Sequence, residues 1–224
     1  MLFRYKTNEQ SDGVIWKWEK NGKISVKSIY KHLFWNDEGE EVKHLWKAKL
    51  PLKVKIFMWL ALQDSILTKD SLLKIKWKGS PACAFCQDAE SVRHLMFECP
   101  VTKFVWSMLA YVFGATVRPS SFTQYWIWIN RYLPGGKQVF FVGLAAVCWS
   151  IWKIRNNICF EGKGVKTPTE IVCLICSTIT YWAGLQKDAI SAQMEHGTEV
   201  LKKTELQFHQ HERMDGEDTR LAVV

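Results

Sequence analysis

The chain reads as mainly α-helical, with a short N-terminal β-hairpin and a small Cys/His-rich segment near its middle. Three observations predict this. Apolar residues recur at three- and four-residue spacing through most of residues 26–185. A single Asn21-Gly22 pair sits between two short β-prone runs. Residues 83–99 follow the pattern C-x2-C-x7-H-x4-C, three thiols and one imidazole within one short stretch.

That last pattern organises the rest. Cys83, Cys86, His94 and Cys99 form the donor set of a closed tetrahedral zinc site. The two-residue gap lets one tight turn aim both sulfurs at a point. His94 and Cys99 lie about one helical turn apart and can face back toward it. Four protein ligands leave no open position for water, so such a zinc holds structure and performs no hydrolysis. Ordinary buried cysteines are the competing reading, and a Cys83–Cys86 disulfide is another. The clustering with a histidine at ligand spacing argues against the first. Seven cysteines, an odd number, and an N-terminus without an apolar signal run argue against the second. Both features point to a reducing, intracellular setting, nuclear or cytoplasmic, and not to secretion.

The chain has 224 residues and a formal charge of +8. The charge is uneven. Residues 186–224 hold five Lys/Arg against eight Asp/Glu, so the remainder is strongly basic. A basic body suits an anionic partner such as nucleic acid, although charge alone also serves solubility. The apolar stretches Val139–Trp152 and Ile171–Leu185 are each about fifteen residues, short of the roughly twenty that span a bilayer. They read as buried helices, and no membrane role is expected.

In chain order, residues 1–13 are polar and loosely ordered. Val14–Trp18 and Lys23–Val26 supply the hairpin strands around Asn21-Gly22. A helix follows to Trp35. Residues 43–78 carry nine lysines and two aspartates. Pro51 opens a helix to Leu62, with Leu52, Ile56, Trp59 and Leu60 on one face and Lys53 and Lys55 off it. Thr68 is placed to cap a second helix, Lys69–Ile75. Lys47, Lys49, Lys53, Lys55, Lys74, Lys76 and Lys78 are the candidate phosphate contacts, with Trp59 or Trp77 available for stacking. A solvated helix face with core tryptophans is the plainer alternative.

Pro100 then starts a helix, Val101–Phe113, that Gly114 ends. A further aromatic helix falls within Pro119–Leu133, and a long apolar one spans residues 137–158. Thr167-Pro168-Thr169-Glu170 is a capping-box start for a helix to about Leu185. Its Cys173-Leu-Ile-Cys176 pair lacks further ligands at useful spacing and reads as buried core thiols. Residues 186–224 read as a polar, mobile tail with a helix near Gly197–Gln210. The domain reading is therefore a flexible 1–13, a zinc-binding domain over 14–114, an apolar helical region over 115–185, and the tail.

These residues resemble a known family. Leu45-Trp46, Pro51, Lys53, Phe57 and Trp59, then Leu67-Thr68, Cys83, Cys86, Glu90, His94-Leu95, Cys99-Pro100 and Trp106 run in the order of the reverse transcriptase zinc-binding domain of plant LINE-type, non-LTR retrotransposons. Upstream, Gly22 and Ser25–Tyr30 resemble the family's lead-in. Downstream, Ile151–Asn156 and Phe160 resemble a segment that often follows the domain. The resemblance implies that Cys83, Cys86, His94 and Cys99 bind zinc, and that the chain is a detached terminal piece of a retroelement protein. It implies no catalysis. No Asp-Asp dipeptide is present to hold polymerase metal ions, and residues 163–224 show no recognisable set of RNase H carboxylates. The expectation is a non-catalytic accessory module. Its partners would be RNA or single-stranded DNA, and a reverse transcriptase polymerase domain. The alternative is a zinc-held structural or protein-interaction module.

Overall fold

Helices carry the architecture, as a computed structural model of the chain shows. It describes residues 19, 21–23, 25, 40–132, 136–162 and 168–221. Among these, eight α-helices and one π-helical turn occur, and no strand. The chain divides into two compact units, Met1–Lys43 and His44–Val224.

Little of the first unit is described. Asn21-Gly22 does form a turn: Gly22 takes a left-handed φ of 65° and donates its N–H to the Glu19 carbonyl at 3.0 Å. Glycine suits that position because a side chain there would be strained. The strands expected at Val14–Trp18 and Lys23–Val26, and the helix expected to Trp35, lie mainly outside the described residues. Lys23 and Ser25, which are described, are not in a strand, so the N-terminal β-hairpin is not supported.

The second unit begins within α1 (Glu40–Lys47), a helix the sequence reading does not anticipate. Its buried Leu45, together with Ala48 just beyond, anchors it. α2 (Leu52–Leu62) follows, and the sequence misidentifies its inner face. Val54, Phe57, Met58 and Ala61 are buried, while Leu52 and Ile56 are exposed. The helix reads LKVKIFMWLAL, apolar nearly all round, so periodicity alone cannot choose between faces. The choice is made by α6 (Lys137–Glu161), which packs on α2. Phe57 meets Trp149 edge-on at 5.3 Å and Trp152 at 5.7 Å.

α3 (Lys69–Lys74) is a short helix after Thr68, with no fully buried residue. Thr68 does not cap it with its hydroxyl, which turns instead to Asp70 and Ser71. After the Cys/His segment comes α4 (Pro100–Val112), closed by Gly114 at φ 63°. α5 (Phe122–Tyr132) starts behind Ser121, whose hydroxyl accepts the Gln124 N–H at 3.1 Å. That is the side-chain cap a free helix start needs.

α6 is the central element. Phe141, Val142, Leu144, Ala145, Ala146, Val147, Cys148, Ile151 and Ile154 are all buried, so the helix is surrounded. By length and apolar composition it alone among the described residues passes as a candidate bilayer span, but 61% of that stretch is buried inside the fold. Gly162, at φ 65°, ends it. α7 (Pro168–Ala183) packs on α6, α4 and α8. α8 runs over Asp188–Leu221, well beyond the Gly197–Gln210 expected. Met194, Thr198 and Leu201 are buried, an i, i+4, i+7 stripe that holds it against α7. The three are spaced out among polar and charged residues, which is why the composition reads as tail.

Candidate metal centre

The donors sit at two adjoining structures. Residues 81–90 make a tight loop held by two rungs. Cys83 N–H bonds the Asp88 carbonyl at 2.7 Å and Glu90 N–H bonds the Pro81 carbonyl at 3.0 Å, which together set Ala82 opposite Ala89 as an antiparallel bridge. At its tip Phe85 donates its N–H to Cys83 Sγ at 3.4 Å. Cys83 and Cys86 therefore face one way from a fixed turn.

His94 and Cys99 come from the π-helical turn His94–Glu98. An α-helix turns about 100° per residue, so positions five apart would diverge by roughly 140°. Here Cys99 N–H bonds the His94 carbonyl at 2.7 Å, an i to i+5 closure that widens the turn and brings both side chains to one side. Trp106 steadies this widened backbone. Its indole N–H donates to the Met96 carbonyl at 2.7 Å, and its ring stacks on Phe97 at 5.4 Å.

The result is one compact cluster. The three sulfurs and the His94 ring nitrogen all lie within 4.8 Å of one another. Cys83 Sγ is 4.0 Å from Cys99 Sγ, which is 3.8 Å from Cys86 Sγ, and Cys86 Sγ is 3.2 Å from His94 Nε2. Zinc–sulfur bonds of about 2.3 Å at tetrahedral angles place sulfurs about 3.8 Å apart, so the donor set fits that ion. Cys83, His94 and Cys99 are buried and Cys86 is half-buried. The cluster is closed by protein, as a structural site should be.

The thiols do not ionise alike. The Cys83 thiol is pulled down to about 5, chiefly by its hydrogen bond with Cys99, against the opposing effect of burial. Cys99 is pushed well up by that same bond and by burial. Burial raises Cys86. One thiolate is thus favoured and two are not, which is the charge problem a bound dication solves. All seven cysteines are free, so no Cys83–Cys86 disulfide forms. Among the described residues no second Cys/His cluster occurs. Cys176 is buried, but Cys173 is exposed and is not the core thiol the sequence suggests.

A second constellation lies beside the first. The Arg155 guanidinium, from α6, grips the Glu90 carboxylate, with Nη2 to Oε1 at 2.6 Å and Nε to Oε1 at 3.1 Å. Both side chains are essentially inaccessible. The same Glu90 Oε1 accepts the Lys69 N–H at 2.9 Å, supplying the cap to α3 that Thr68 does not. Lys69 Nζ in turn bonds the Ala82 carbonyl. The sequence reading places Glu90 and Arg155 in family patterns without linking them.

The candidate phosphate contacts fare differently. Lys47, Lys49, Lys53, Lys74, Lys76 and Lys78 are exposed. Lys53 also lies 5.8 Å over the Trp149 ring, and Lys74 pairs loosely with Asp70 at 3.8 Å. Lys55 is half-buried, with its ammonium on the Trp46 carbonyl at 3.0 Å, closing the end of α1. Trp59 is half-buried and Trp77 exposed.

Residues 24–106 match the family described as zinc-binding in reverse transcriptase. That segment holds all four donors, Glu90 and Trp106, and stops short of Arg155. The chain is also similar to a "Putative ribonuclease H protein" of Arabidopsis thaliana, 28% identical over 101 residues. That similarity covers 42% of this chain and only 16% of the relative's length. No solved structure matches the chain. Over residues 24–106, then, the chain is similar to the zinc-binding domain of reverse transcriptases, with a cluster fit for the metal.

Proposed function

We propose that the chain is a non-catalytic accessory module of a LINE-type retroelement protein that binds RNA or single-stranded DNA. In this reading Cys83, Cys86, His94 and Cys99 hold one zinc, which fixes the loop 81–90 and the π-helical turn. Exposed lysines on the neighbouring elements contact phosphates. The observation that carries the reading is the exposure of Lys47, Lys49, Lys53, Lys74, Lys76 and Lys78; among the described residues, Lys74 alone of these pairs with an acidic side chain. Cations without protein counterions are available to a polyanion, and their contacts release bound salt. A reverse transcriptase polymerase domain would be the covalent or docked neighbour, and the setting intracellular.

The test is salt dependence. Affinity for a short RNA and for single-stranded DNA should fall steeply between low and moderate salt, with little sequence preference. Paired changes such as Lys76→Gln with Lys78→Gln should lower the slope by about two. Salt-independent binding, or none, would contradict it.

One observation favours the alternative interaction module. A largely apolar cavity of about 610 Å³ lies among α4, α6, α7 and α8, lined by Leu109, Phe113, Phe140, Ile179, Met194 and Leu201. An apolar group of a protein partner would fit it, and such binding would be insensitive to salt and to the lysine changes.

A further inference from the structure

The stretch Leu73-Lys74-Ile75-Lys76-Trp77-Lys78 is exposed throughout. It follows α3 and is pinned at its base by the Leu72 carbonyl, which accepts the Ile75 and Trp77 N–H groups, each at 3.1 Å. Lys76 adopts a left-handed φ of 66°, a conformation that glycine would take without strain. The chain thus holds a lysine at a strained turn, next to an exposed indole.

Trp77 does not hang free. A β-carbon built on Gly79 would fall inside Cη2, Cζ2 and Cζ3 of the Trp77 ring. It would be equally near two adjacent carbons and little farther from the third. Such a point lies over the ring face, not beyond its edge. One face of the indole therefore lies on the Gly79 backbone, and only a residue without a side chain permits it. Yet Trp77 remains 41% exposed. The ring is seated on one side and still largely open to solvent, flanked in sequence by Lys76 and Lys78, with Lys74 one turn earlier.

We propose that Trp77, seated on Gly79, is a stacking platform for an unpaired base of single-stranded nucleic acid, with Lys74, Lys76 and Lys78 taking the adjoining phosphates. This deepens the reading of the lysines above and rests on it. A flat, pre-seated aromatic face amid cations matches the two halves of a nucleotide, whereas duplex DNA keeps its base faces stacked away. A seated ring also loses little freedom on binding, which favours affinity.

The test uses the whole zinc-loaded chain with a short oligothymidylate and an abasic strand of equal length. The two strands carry the same phosphates and differ in bases. The wild type should bind the thymidylate at least about fivefold more tightly, the lower end of what one stacked base contributes. Trp77→Ala should remove that preference and leave abasic binding and the salt slope unchanged. Gly79→Ala should do the same while keeping the tryptophan, because its methyl evicts the ring. Zinc content of both variants checks the fold. Equal affinity of the wild type for both strands, or a preference that survives Trp77→Ala, would overturn the platform while leaving the phosphate reading intact. No binding to either strand would overturn both.

Discussion

Arg155 and Glu90 meet across 65 residues of sequence, Nη2 to Oε1 at 2.6 Å, with both side chains buried. The pair ties the loop that carries Cys83 and Cys86 to the central helix α6. Glu90 also caps α3, and Arg155 reaches the Leu67 carbonyl at 3.4 Å and the Asn156 side chain at 2.9 Å. The guanidinium lies 5.0 Å over the Trp152 ring as well. A charge so enclosed is tolerable only with its partners in place.

Removing one member should therefore cost far more than a surface ion pair. Arg155→Met should lower stability by about 3–5 kcal/mol, because Glu90 is left buried and unpaired. Adding Glu90→Gln to that variant should restore part of the loss. Denaturant titration of the single and double variants measures both. A loss below about 1 kcal/mol in Arg155→Met would mean that the pair is not buried in solution.

The inner face of α2 gives a second prediction. Met58 is wholly buried and Leu52 is 65% exposed. Met58→Ala should cost about 2–5 kcal/mol by leaving a cavity, while Leu52→Gln should stay within about 0.5 kcal/mol. The reverse ranking would restore the face that the sequence suggests.

This contrast indicates what the sequence can convey. The four donors were legible because cysteine and histidine spacing is a local, chemically narrow signal. The end of α4 was legible because Gly114 is a natural left-handed stop. The facing of α2 was not, since an all-round apolar helix takes its orientation from α6. The Glu90–Arg155 pair was not, since no local periodicity announces a partner 65 residues away. Nor was the reach of α8, whose few inward residues are diluted by charge. Trp77 is legible in the sequence as a tryptophan among lysines, but only the backbone of Gly79 explains how its ring is held.

Trp106 should act as a backbone support. Its N–H is the partner of the Met96 carbonyl in the π-helical turn. Trp106→Phe keeps the ring stacked on Phe97 and deletes that donor, leaving a buried carbonyl unpaired. The expected cost is about 1–3 kcal/mol, read by thermal or denaturant unfolding of the metal-loaded chain. No change in stability would show that the carbonyl finds another donor.

Metal binding should release protons. Ligand cysteines bind as thiolates. Near neutral pH Cys83, lowered to about 5, is already ionised, whereas Cys86 and Cys99 are raised and hold their protons. Zinc loading near pH 7 should then release about two protons per ion, and affinity should fall as pH drops toward 5 and the protons compete. An indicator dye in weakly buffered solution reads the release directly. Release of none would exclude thiolate ligation by Cys86 and Cys99.

The central claim is that Cys83, Cys86, His94 and Cys99 hold one zinc. Elemental analysis of the whole chain purified without added metal, beside Cys86→Ser and His94→Ala, tests it most directly. One zinc per wild-type chain, with marked loss in both variants, is the predicted result. A wild-type chain free of zinc, or variants that keep the full complement, would contradict it.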